Sequence, residues 1–168
     1  MTPLRFDHFR LACAGAALIG AAAWLLGLPA GAGSAPRPPL PPVYVEECGS
    51  CHVAYPARFL GRSSWEAVLA GLDSHFGADA TVDPQALEGI RAWLEAGARS
   101  QETSADGRPL LRISETAWFR HEHPKPSASV WTHPDVKSPA NCGACHRQAE
   151  AGDYRERTLR VPKKGEQK

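Results

Sequence analysis

Methionine is all but missing from this chain: the single one is Met1. No thioether side chain is therefore available as a metal ligand beyond the first residue. Net charge is missing too. With Arg5, Arg10 and Asp7 set aside, residues 36–168 hold 17 Lys and Arg against 17 Asp and Glu. That balance lacks the basic surplus a nucleic-acid partner demands. No strand pattern is visible, and no thioredoxin-like alternation of strands and helices. The charge that exists is unevenly spread. Residues 36–100 carry 5 basic and 8 acidic side chains, and residues 101–168 carry 12 and 9. Such a dipole can orient a docking partner.

The first 35 residues read as a secretory signal peptide. Arg5 and Arg10 supply a basic start, Leu11 to Leu28 is an uncharged apolar run, and Ala30-Gly31-Ala32 is a small-residue cleavage site. The alternative is an uncleaved anchor, because 18 apolar residues lie at the lower edge of membrane-spanning length. Either way the remainder is expected outside the cytoplasm, in the periplasm. Cys13 lies at the start of the apolar run, not at its close, and is read as filler.

The rest divides at the polar stretch 101–109 into a first domain, 36–100, and a second, 101–168. Ser34 to Pro42 is proline-rich and is expected to be an extended linker. A helix is expected over Arg62 to Phe76, where Ser63 and Glu66 have capping-box spacing and Trp65, Val68, Leu69, Leu72 and His75 form an apolar stripe. Gly77 would end it. Asp83 and Pro84 should open a second helix reaching Ala98. A short helix is expected within Ile113 to His123, a loop over Pro124 to Ser138, and a helix over Pro139 to Ala151. The basic tail, Tyr154 to Lys168, is expected to fray at its end. The fold class is thus mainly α, in two small domains with thin apolar cores.

Four cysteines remain beyond the leader, as Cys48-Gly49-Ser50-Cys51-His52 and Cys142-Gly143-Ala144-Cys145-His146. An even count in an exported chain suggests disulfides first, but the spacing points elsewhere. Two thiols three residues apart reach the two vinyl groups on one porphyrin edge. The next residue then lies under the iron, where a histidine can bind. With 7 His in 168 residues, a His after both pairs has a chance of about 0.002 on composition alone. Paired zinc knuckles stand about 15–20 residues apart, whereas 90 residues separate Cys51 from Cys142. The motifs therefore imply two covalently bound haem c groups, with His52 and His146 as proximal ligands.

The sixth ligand of each iron cannot be Met. His75, His121, His123 and His133 are the histidines left to supply it. His75 lies on the apolar stripe and is the preferred ligand among them, while spacing does not choose among the other three. Two imidazoles close an iron and give a lower potential than His with Met. This implies single-electron transfer and no catalytic residue. A reductase or peroxidase with one open haem is the competing reading. A gas or redox sensor would need an output domain, and none is visible.

Four stretches carry a resemblance. Tyr44 to Pro56, His75-Phe76-Gly77, Trp118-Phe119-Arg120-His121-Glu122-His123 and Ser138 to His146 resemble, in order, markers of the small dihaem cytochrome c family. The resemblance spans about Tyr44 to Val161. It implies a first domain similar to a class I cytochrome c, a less regular second one, and bis-histidine ligation of both irons. His75 and His123 match the family's distal ligands, with His121 a departure beside the expected position. The likeness also implies redox partner proteins: a small oxygen-binding monohaem cytochrome c and a membrane cytochrome b.

Overall fold

A computed structural model describes residues 39–162. The leader, most of the proline-rich lead and the last six residues lie outside them. Among the described residues the fold is mainly helical and has no strand, only isolated bridges. Five α-helices occur among the described residues: α1 (Pro42–Cys48), α2 (Arg62–Ala70), α3 (Pro84–Gly97), α4 (Ala117–Glu122) and α5 (Ala128–Trp131).

The first half is built on α3. Asp83 caps it by accepting from the amides of Gln85 and Ala86, and Pro84 occupies its first position. Ile90 and Leu94 are its buried face, and they meet Tyr44 of α1 with Trp65 and Leu69 of α2. Gly97 lets α3 press on a 3-10 turn at Ala57–Phe59: a Cβ there would stand 2.8 Å from that of Ala57. The same turn receives the Trp65 indole, whose Nε1 donates to the Ala57 carbonyl at 2.6 Å. These contacts fix Phe59, which points away towards the second half.

Several expectations need correction. The proline-rich lead is not extended to its end, because α1 begins at Pro42, where a missing amide costs nothing. Helix α2 stops at Ala70 instead of Phe76. Gly71 caps it, and a 3-10 turn, Leu72–Ser74, follows. The capping box does not form: Gly61 is the N-cap, without a side-chain bond. Instead the Ser63 amide donates to Gln101 Oε1 at 3.2 Å. The expected loop contains the single turn α5.

The second motif is not on a helix. Cys142–Ala144 is a 3-10 turn, and the chain beyond it folds back. His146 bridges to Leu159, and the Arg160 amide donates to the Cys145 carbonyl at 2.8 Å. Asp153 anchors this return. Its carboxylate accepts from Arg155 at 2.6 and 2.8 Å and from Arg157 at 3.0 Å, and these bonds hold it well below the usual carboxylate range. The tail therefore packs on the motif through Leu159. The end expected to fray lies outside the described residues.

Candidate haem sites

At the first site, α1 delivers Cys48, and Gly49 ends the helix. The chain then turns so that the His52 ring lies against His75, with centroids 6.2 Å apart and planes at 33°. His75 stands in a tight turn, not on a helix. Its carbonyl accepts from Ala78 at 3.1 Å, and Phe76 and Gly77 both take positive φ, 50° and 97°. A non-glycine residue in that region is strained by about 1–3 kcal/mol, a cost accepted where it aims a side chain. The Arg112 guanidinium covers the Phe76 ring at 4.2 Å and holds the turn down.

At the second site, Thr116 caps α4 by accepting from the Phe119 amide at 3.0 Å. That helix sets Phe119 flat on His123, centroids 4.1 Å apart. His123 caps the end of α4 and faces His146, with centroids 6.1 Å apart and planes at 81°. Trp131 of α5 closes on both Phe119 and His123. Tyr154 lies 5.2 Å from His146 on the other side. A cavity of about 600 Å³ runs between these groups, lined by Phe59, Trp118, Cys142, Cys145, Tyr154 and Leu159 among others.

The tautomers are set by hydrogen bonds. His52 Nδ1 is 2.8 Å from the Val53 carbonyl, and His123 Nδ1 is 2.9 Å from that of Phe119. A carbonyl only accepts, so each Nδ1 carries the proton and each Nε2 keeps its lone pair for a metal. Burial, then the neighbouring histidine, lowers the proton affinity of His75 and of His146. Neutral imidazole is the form that ligates.

The remaining histidines sit differently. His121 is exposed at the rim of the cavity. His133 is buried in a local turn: its Nδ1 accepts from the Asp135 amide, and its carbonyl accepts from Val136 and Lys137.

These donors suit a porphyrin iron. Two metal–imidazole bonds of about 2 Å each, with a ring radius of about 1 Å added at either end, set the centroids about 6 Å apart. Both pairs have that spacing. Among the described residues no three His, Cys, Asp or Glu side chains converge into a metal cage. The protein thus offers two nitrogens per site, which complete an octahedron only when a macrocycle brings four more. The four cysteines are free. Burial first, then the charge of Glu47, pushes the Cys48 thiol up to about 11, and burial pushes Cys142 to about 11.

The sequence profile described as dihaem cytochrome c matches residues 44–154. This chain belongs to the dihaem cytochrome c family. It is therefore an electron-transfer cytochrome with two covalently bound haem c groups. A dihaem cytochrome purified from Rhodobacter sphaeroides is 39% identical, with 68% of this chain and 96% of that one covered and a TM-score of 0.58. The dihaem cytochrome type c of Shewanella baltica OS155 is 36% identical, with 73% and 95% covered and a TM-score of 0.62. No curated protein matches.

In this dihaem cytochrome the cysteines would carry the thioether bonds, each S–H adding across one vinyl group. Sequence reasoning overlooked the aromatic frame. Phe59 stands 4.9 Å from both Trp118 and Tyr154 and joins the two halves. Its one signal was composition: in a chain only 8% aromatic, each ring has work to do.

Proposed function

We propose that this dihaem cytochrome is an exported, low-potential relay that passes single electrons between protein partners and has no substrate of its own. His52 and His75 close the first iron, and His146 and His123 the second. The observation that carries this reading is the pair of facing imidazoles at each motif. Haem c supplies an iron that cycles by one electron. The chain's own residues would hold that iron between two imidazoles, one of which at each site, His52 or His123, has its tautomer fixed by a backbone carbonyl. Such a centre changes little in geometry on reduction, and it offers no open position to a small molecule.

Two imidazoles, with no Met in the chain after Met1, favour potentials below those of His/Met centres. Each half holds its own axial pair, 52 with 75 and 123 with 146. That supports two haem domains, 36–100 and 101–168. The leader supports a periplasmic location, and among the described residues no helix is long and apolar enough to cross a membrane. A small oxygen-binding monohaem cytochrome c and a membrane cytochrome b are the proposed partners. Their contacts should be small and transient.

A spectroelectrochemical titration tests the reading. Two one-electron steps, both below the range of His/Met cytochromes c, are expected. A step at high potential, or turnover with peroxide or nitrogen oxides at a steady rate, would contradict it.

A further inference from the structure

Tyr55 touches both haem sites. Its ring lies nearly parallel to that of His52, with centroids 4.7 Å apart and planes at 17°. Its hydroxyl crosses 85 residues of sequence to donate to the Ala140 carbonyl at 2.6 Å. Ala140 stands two residues before Cys142, and the Cys142 amide donates to the same carbonyl at 3.0 Å. The backbone of Tyr55 is fixed as well, since the buried Tyr44 donates its hydroxyl to the Tyr55 carbonyl at 2.7 Å. The second motif also lies close to Val53, the residue after the first motif: a Cβ on Gly143 would meet its side chain at 3.7 Å.

A ring stacked on an imidazole limits that imidazole's rotation about its metal bond. A hydroxyl bonded to a backbone carbonyl limits where the ring can go. We propose that Tyr55 is a positioning residue linking the two haem sites: it sets the orientation of the His52 ring according to the place of the loop that carries Cys142 and Cys145. Tyr55 takes no part in electron transfer as a redox group. It acts through His52, and the proposal rests on His52 being an axial ligand. The consequence is that the first iron's ligand field depends on a bond made to the second site.

The test uses the holoprotein and two variants. Tyr55→Phe keeps the stack and removes the bond to Ala140. Tyr55→Leu removes both. Two readouts are needed: the low-spin ferric EPR g-values, which report axial ring orientation, and amide hydrogen exchange over Cys142–His146. In Tyr55→Phe, exchange over that turn is expected to quicken about fivefold, the effect of one neutral hydrogen bond. The largest g-value of one haem should shift or broaden in Tyr55→Phe and move further in Tyr55→Leu, while the other haem is unchanged.

Unchanged g-values in both variants would overturn the proposal, whatever exchange does, because Tyr55 would then be packing alone. Shifted g-values with unchanged exchange in Tyr55→Phe would also overturn it, because the link to the second site would be absent. Failure of the ligand reading looks different. It appears as high-spin iron in the unaltered protein, which no Tyr55 variant is needed to reveal.

Discussion

In His123→Ala, about half of the haem is expected to turn high-spin and bind carbon monoxide within mixing time, because one of the two irons has lost its sixth ligand. The expectation follows from position. His123 ends α4, its Nδ1 is tied to the Phe119 carbonyl, and its ring stands opposite His146. Phe119 and Trp131 would still wall the site, so alanine leaves a space of ligand size beside the iron. His75→Ala should do the same at the first iron, and the double variant should open all of the haem.

Two controls sharpen this. His121→Ala should leave the spectrum as it was, since that side chain is exposed. His133→Ala should leave both irons low-spin yet lower stability by about 1–2 kcal/mol, because the Asp135 amide loses its acceptor and a buried ring is removed. Carbon monoxide binding in His121→Ala or His133→Ala, with none in His123→Ala, would reassign the second site's ligand. Absorption and magnetic circular dichroism spectra check all four variants.

The second large effect is expected from Cys142→Ser with Cys145→Ser. This double variant should carry one covalent haem in place of two. Its mass should fall by one haem, and haem staining after denaturing electrophoresis should drop by about half. The folding consequence follows from the cavity of about 600 Å³ in the second half, framed by Trp118, Tyr154 and Leu159. Few apolar side chains in that half are buried: Leu110, Phe119, Val136 and Ala149. The porphyrin is thus a large share of that core. Losing it should destabilise the second half by more than the 2–5 kcal/mol, roughly, that removing one large core side chain costs. The first half has its own cluster around Ile90 and Leu94 and should stay folded. Hydrogen exchange resolved by segment separates these outcomes. Uniform protection across the variant would show that the haem is not part of the second core.

What the sequence made legible follows from how local each signal is. Helix α3 was readable because its cap, its proline and its buried stripe all lie within 15 residues of one another. The attachment motifs were readable because thioether chemistry demands a fixed spacing. Helix α2 was overextended because Leu72, His75 and Phe76 continue its apolar period. Gly71 stops the helix, Leu72 packs on the core from a 3-10 turn, and Phe76 stays exposed under Arg112. The helix expected at the second motif failed for a non-local reason. Backbone bonds from Arg147 to Thr158 and from Arg160 to Cys145 tie that stretch to residues 158–160, and periodicity carries no trace of such pairing. The prolines before Cys48 were read as breakers, although Pro42 sits at the one helical position that suits it. Phe59 and Tyr55 act across 59 and 85 residues, beyond the reach of any pattern in one sequence.

The central claim is that both irons are closed by histidine. The most direct measurement is the spectrum of the purified native protein, oxidised and dithionite-reduced, before and after carbon monoxide. The ring pairs at 6.2 and 6.1 Å predict two haems per chain, sharp low-spin bands and no carbon monoxide shift. A shift in about half of the haem would mean that one iron is open in the native protein, and the closed relay would be wrong.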